Sequence, residues 1–201
     1  MKNPLSKQMT ALLTAFAMGG TGTAVVTQTD ILNQFLNEKE GNRLTAYLDS
    51  ANPPIWTICR GVTRIDGRPV TKGMRLTEKQ CDLLNDKEAQ KSLKWVRDNI
   101  PVKLNPVQQV GIASFCPYNI GPTKCKGSTF FKLLQKGDWK NACKQIPRWV
   151  FDGGKDCRIK SNNCSGQPIR REQEEYLCLY TLGETKPGTL PHEAGKYNLG
   201  G

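Results

Sequence analysis

The sequence predicts an α+β body: one helix, a small antiparallel sheet lobe, and a larger helical lobe with a cleft between the lobes. A weakly apolar N-terminal helix stands ahead of that body. Three observations carry the prediction. Apolar residues recur at helical spacing at Ile31, Leu32, Phe35 and Leu36; they alternate at strand spacing at Leu44, Ala46 and Leu48; and after Gly73 helical periodicity dominates.

The chain opens with Lys2 and Lys7 ahead of an uncharged run from Met9 to Val26, which Asp30 closes. Positive charge before an apolar run is the layout of an exported N-terminus. The run is close to the minimum of about 17–20 residues that a bilayer span needs. Gly19, Gly20, Gly22 and several threonines dilute its Ala and Leu content. Three readings compete: a signal peptide cleaved near Gly22-Thr23-Ala24, a permanent anchor, and a weak anchor that can leave the membrane. The composition favours the third, because Thr and Gly lower the cost of returning the helix to water.

From residue 29 the body begins. Asp30 suits an N-cap, and Gly41 suits the C-terminal end of the first helix. Leu44, Ala46 and Leu48 then read as a strand, Asn52-Pro53-Pro54 interrupts it, and Ile55-Trp56-Thr57-Ile58 resumes it. Asp66-Gly67 marks a tight turn before a last short strand. Thr77 caps a long helix with Cys81, Leu84, Leu93 and Val96 facing inward. Pro106 starts the next helix after Asn105, the stretch "STFFKLLQKGDWKNACKQIPRWV" gives two short ones, and "GQPIRREQEEYLCLYTLG" a final one ending near Gly183. Residues 184–201 show no apolar period and read as a disordered tail. The expected domains are therefore 1–28, an anchor segment; 29–183, the folded body; and 184–201, the tail.

Eight cysteines and a single histidine (His192) argue for disulfides over zinc, since no C-x2-C pair occurs. No metal or other cofactor is expected. Eight cysteines allow 105 connectivities. Cys116–Cys125 and Cys157–Cys164 are local enough to propose, each contributing about 2–3 kcal/mol in the chain-entropy model; Cys59–Cys81 and Cys143–Cys178 follow by elimination. The working form is then expected outside the cytoplasm. The net charge of +11 calls for an anionic partner, with nucleic acid, acidic membrane and bacterial wall all compatible.

Glu40 and Asp49 fall at the end of a helix and the end of the following strand, where both can face one gap. A partly apolar site would let a Glu keep a proton to donate, while an Asp in a wetter loop stays ionised. Glycoside hydrolysis requires those two roles. On spacing alone, two ordinary solvated acids remain the commoner explanation.

The neighbouring residues change that balance. "EGNRLTAYLDS...IWTICRG", "SFCPYNIGP", "STFFKLLQKGDWKNACKQIPRWVFDGGK" and "GQPIRREQEEYLCL" resemble, in collinear order over about residues 30–180, the motifs of phage-type lysozymes, glycoside hydrolase family 24. The resemblance implies a lysozyme-like fold and a muramidase that cuts the β-1,4 bond between N-acetylmuramic acid and N-acetylglucosamine. It makes Glu40 the general acid, Asp49 the second carboxylate, and Thr57 a residue that helps orient the attacking water. Two departures stand out: "SANPP" looks like a short insertion before Trp56, and Val62 stands where many members have His.

Asn119 is a candidate sugar contact or turn cap. Arg170 or Arg171 is a candidate partner of Glu40 or of substrate carboxylates, against the alternative of a solvated basic face. Trp95, Trp139 and Trp149 read as core, and Trp56 as the best aromatic near the acids. Residues 9–26 resemble the signal-arrest-release segment of some endolysins. That resemblance implies export, transient tethering to the host inner membrane facing the periplasm, and later release. The expected partner is then peptidoglycan rather than nucleic acid, and the expected state a monomer. A catalytically silent wall-binding module and a cationic membrane-permeabilising protein are the competing classes.

Overall fold

The computed structural model describes residues 3–18, 25–49 and 53–181. Helix α1 (Lys7–Ala17) is capped by Ser6, whose hydroxyl accepts from the Met9 amide. Helix α2 (Gln28–Asn37) starts with Thr27 as cap and Asp30 as the reciprocal partner in a capping box, so Asp30 occupies the third helical position, not the cap. Strand β1 (Arg43–Leu48) pairs antiparallel with β2 (Trp56–Cys59), with Tyr47 opposite Thr57. A hairpin of β3 (Arg64–Ile65) and β4 (Arg68–Pro69) turns at Asp66-Gly67, both at positive φ, as expected.

The larger lobe is helical. Helix α3 (Glu78–Asn99) opens with the expected Thr77 cap in a Thr77/Gln80 box and crosses from one lobe to the other. Helix α4 (Pro106–Ala113) starts at Pro106 behind an Asn105 cap, then widens into a π-helical stretch, Ser114–Ile120, containing Pro117. Short helices α5 (Pro122–Gly127), α6 (Thr129–Gln135) and α7 (Trp139–Cys143) follow. A hairpin, β5 (Phe151–Asp152) with β6 (Lys155–Asp156), precedes α8 (Gly166–Cys178). The sequence reading did not anticipate the π stretch, α5 or this hairpin.

Two apolar clusters match the two lobes. The helical one contains Phe35, Leu93, Ile112, Phe115, Phe130 and Leu177. The smaller one gathers Ile58, Cys59, Val62, Val70 and Cys81. Helices α4 and α8 approach so closely at Gly111 that an added Cβ would lie 2.6 Å from the Cys178 amide nitrogen, which is why a glycine is needed there. The four expected disulfides are all formed: Cys59–Cys81, Cys116–Cys125, Cys143–Cys178 and Cys157–Cys164.

Helix α2 ends at Asn37 rather than at Gly41, so Glu40 sits in the turn beyond it. Leu44 and Leu48 are exposed at 39% and 52%. A register shift between Arg43 and Tyr47 breaks strand parity, and the two-stranded sheet has too small a core to cover both. At the N-terminus, α1 is too short to span a bilayer, and no helix among the described residues is long and apolar enough to do so. Met9 and Leu13 of α1 are instead buried in the helical-lobe core. Gly19, Gly20 and Gly22, and the tail from 184, lie outside the described residues.

Candidate active site

Glu40 is placed by backbone and side chain alike. Its amide donates to the Leu36 carbonyl at 2.9 Å, so it rides on the last turn of a helix whose Ile31, Leu32, Phe35 and Leu36 are fully buried. Its Oε1 accepts from Arg170 Nη1 at 2.5 Å. Arg170 is only 7% exposed, so the alternative of a solvated basic face does not hold. Arg170 Nε donates to Glu174 Oε1 at 3.0 Å, one turn along α8. The buried Glu174 also accepts from the Ser114 hydroxyl at 2.6 Å and from Arg171 Nη1. Arg171 Nη2 in turn donates to Asn119 Oδ1 and to Gln167 Oε1.

Two guanidinium groups and two carboxylates thus share one network, with neutral Ser114 and Asn119 completing it. Burial alone would lower the pKa of Arg170; Glu174 and then Glu40 outweigh it and hold Arg170 above its ordinary value. Glu40 accordingly has a cation and a polar chain on one side and, on the other, a cavity lined in part by Trp95, Pro117 and Tyr118. Asn119 joins this network through Arg171.

Glu40 faces a cavity of about 340 Å³ whose wall includes Arg60, Tyr118, Asn119, Trp95 and Lys91. Arg170 borders a second cavity of about 430 Å³ with Lys39, Asp152 and Gln167. Two aromatics, Trp95 and Tyr118, reach the cavity at Glu40, and Trp95 also packs on Phe131 with ring centroids 6.0 Å apart. Trp56, opposite Leu48 in the sheet and so beside Asp49, packs against the sheet-lobe cluster.

Asp49 belongs to a separate group. Its amide donates to the Ile55 carbonyl at 3.1 Å, and its Oδ1 accepts from the Ile55 amide at 2.9 Å. The Thr57 hydroxyl, on a residue 3% exposed, donates to the same Ile55 carbonyl at 3.1 Å. One peptide unit therefore links Asp49 and Thr57. Between the two groups stands Tyr47. Burial raises its pKa; Arg43 opposes that, while Glu40 and Asp49 both add to it, so one phenol lies within Coulomb reach of both acids. Val62, at the family's His position, is buried in the sheet-lobe cluster, and its backbone pairs both ways with Ile58 at 2.9 Å.

Sequence reasoning missed Arg60, Tyr118, Ser114 and Glu174. Only Glu174 left a signal, its spacing from Arg170 and Arg171 on one helix.

A family model described as phage lysozyme matches residues 37–174. The chain is 57% identical over 153 residues to the SAR-endolysin of Escherichia phage 933W, covering 76% of this chain and 85% of that protein. It is 57% identical over 152 residues to a probable prophage lysozyme of Escherichia coli strain K12, again covering 76% and 85%. Among solved structures, the endolysin from Escherichia coli O157:H7 phage FAHEc1 superimposes with a TM-score of 0.61 at 29% identity, over 79% of this chain and 95% of that one.

Proposed function

This chain belongs to the phage lysozyme family, and from that premise we propose that it is a muramidase hydrolysing the β-1,4 bond between N-acetylmuramic acid and N-acetylglucosamine. The observation that carries the reading is Glu40 fixed at a cavity wall by a buried arginine, with Asp49 at the end of the neighbouring strand. Glu40 is the general acid. Arg170 occupies its Oε1, so Oε2 is the oxygen that carries the proton to the glycosidic oxygen as the bond breaks. Asp49 supports the positive charge developing on the sugar, and with Thr57 orients the attacking water. Asn119 and Arg170 serve the substrate side, Asn119 as a sugar contact and Arg170 through its hold on the acid.

Mass and reducing-end analysis of muropeptides released from purified sacculi tests the chemistry. Reducing N-acetylmuramic acid ends are expected. Anhydro ends would mean a lytic transglycosylase, and no released saccharide would leave only the wall-binding or membrane-permeabilising readings.

The enzyme's route is the second part of the proposal: export, weak tethering through residues 9–26, and release as a monomer into the periplasm. The seating of α1 supports it. Met9 and Leu13 fill the helical-lobe core, and the Ser6 hydroxyl donates to Glu38 Oε1 at 2.6 Å, two residues from Glu40. The same segment cannot lie in a bilayer and complete this core, so the folded form described here suits the released enzyme. Replacing Gly19, Gly20 and Gly22 with Leu is expected to delay host lysis. Unchanged lysis timing with the enzyme held at the membrane would count against tether and release.

A further inference from the structure

Arg60 lies near the end of the family-like segment "IWTICRG", is 3% exposed and lines the cavity that Glu40 faces. Its guanidinium is used across two helices. Nη1 donates to the Asn33 carbonyl at 3.1 Å and to Asn37 Oδ1 at 2.5 Å. Nη2 donates to Asn33 Oδ1 at 2.7 Å and to the Asn85 carbonyl at 3.1 Å. The Arg60 backbone adds two more ties, its amide donating to Asn85 Oδ1 at 3.2 Å and its carbonyl accepting from the Tyr118 hydroxyl at 2.7 Å. Every acceptor is a neutral carbonyl or amide oxygen. A planar fork of donors suits this arrangement, which a lysine's point charge cannot reproduce.

These contacts close a ring. Glu40 meets Arg170, Arg170 meets Glu174, Glu174 meets Arg171, and Arg171 meets Asn119. Tyr118, the residue before Asn119, meets Arg60, and Arg60 meets Asn37 in the final turn of α2, from which the chain leads directly to Glu40. The helical side of the ring holds the carboxylate; Arg60 holds the backbone that carries it. Val62, two residues on, has an apolar side chain and cannot supply such a tie.

We propose that Arg60 is a positioning residue for Glu40, fixing the end of α2 to α3 and to the π-helical stretch so that the carboxyl is presented to the cavity at one distance and angle. The inference rests on Glu40 being the acid, and its effect should fall on turnover rather than on substrate binding. Misplacement by about 1 Å can cost about 100-fold in rate.

The test uses the full oxidised chain with Arg60→Lys, Arg60→Met and Tyr118→Phe. Turnover on soluble glycan strands should fall by about 10- to 100-fold in both Arg60 variants, with KM within about threefold, and by less in Tyr118→Phe. Lysine should not rescue. Hydrogen exchange supplies a readout independent of activity: the amides of residues 38–40, bonded to Gln34 and Leu36, should exchange faster in the Arg60 variants while those of α8 stay protected. Unchanged turnover and unchanged exchange at 38–40 would overturn the proposal, as would loosening spread equally over α8, which would make Arg60 a general stabiliser. If Arg60→Met fails to fold, Arg60→Lys and Tyr118→Phe decide. If the wild type cleaves no glycan, the enzymatic reading fails, and the exchange comparison still decides whether Arg60 orders this turn.

Discussion

On the helical side of the cleft, Glu40 is held by charge. Arg170, Glu174 and Arg171 stand buried on α8, with the Ser114 hydroxyl donating to Glu174 and Asn119 accepting from Arg171. On the sheet side, Asp49 is tied to the Ile55 backbone, its amide donating to the carbonyl and its Oδ1 accepting from the amide, at a two-stranded ribbon where Leu48 and Ile55 are 52% and 47% exposed. The difference teaches where rigidity is placed. A proton donor must meet one oxygen atom and gains from a preorganised mount; a carboxylate that steadies charge and a water can sit on a lighter one. Changes on the helical side should therefore cost both stability and activity, and changes on the sheet side mainly activity.

Glu174→Ala is the largest expected break. It leaves Arg170 and Arg171 buried with a lost partner, a change that costs about 3–5 kcal/mol in buried ion networks. Chemical denaturation should read that loss, with activity falling in parallel. Asp49→Asn should leave the denaturation midpoint nearly unmoved, within about 1 kcal/mol for a surface-accessible site, while glycan cleavage drops steeply. Equal stability losses for the two would erase the contrast.

Thr57→Val sharpens the comparison at intermediate size. It removes a buried hydroxyl's bond to the Ile55 carbonyl, worth about 1 kcal/mol, and should lower activity less than Asp49→Asn does. Smallest is Glu175→Gln, on α8 but outside the network. Burial first, then Glu172, raises the Glu175 pKa to about 7, with Lys144 opposing. A carboxyl raised above its unfolded value contributes stability that is complete below the unfolded pKa and lost as pH rises through about 7. Melting at pH 5 and pH 8 should show a smaller drop for Glu175→Gln than for the wild type, with activity unaltered. An identical drop would show that Glu175 does not titrate in that range.

Elements on both sides of the cleft were legible where their signals are local. Turn chemistry at Asp66-Gly67, the Thr77 cap and Pro106 each specify their own backbone. Cysteine pairing was legible through short separations for two bridges and elimination for the rest. The helical mount was not, since Ser114, Glu174 and Arg171 meet only after α4 and α8 pack across Gly111. Arg60 was hidden for the same reason: its partners Asn33, Asn37, Asn85 and Tyr118 come from three separate segments. The end of α2 was misread because Gly41 invited a glycine cap, whereas the helix gives way at Glu38 and a further turn delivers Glu40 to Arg170. Leu44 and Leu48 lie in β1 as their alternation predicts, but their exposure was not legible, because the register shift between Arg43 and Tyr47 leaves no mark in the sequence.

The central claim is that one carboxyl, mounted on α2 and held by Arg170, supplies the proton that breaks the glycan. Cleavage of purified sacculi by oxidised wild type and by Glu40→Gln, with folding of both verified by thermal melting, tests it most directly. The account predicts a folded variant slowed by at least about 1,000-fold, on the scale of losing an essential catalytic group. A folded Glu40→Gln enzyme that still cuts within about tenfold of the wild-type rate would contradict it.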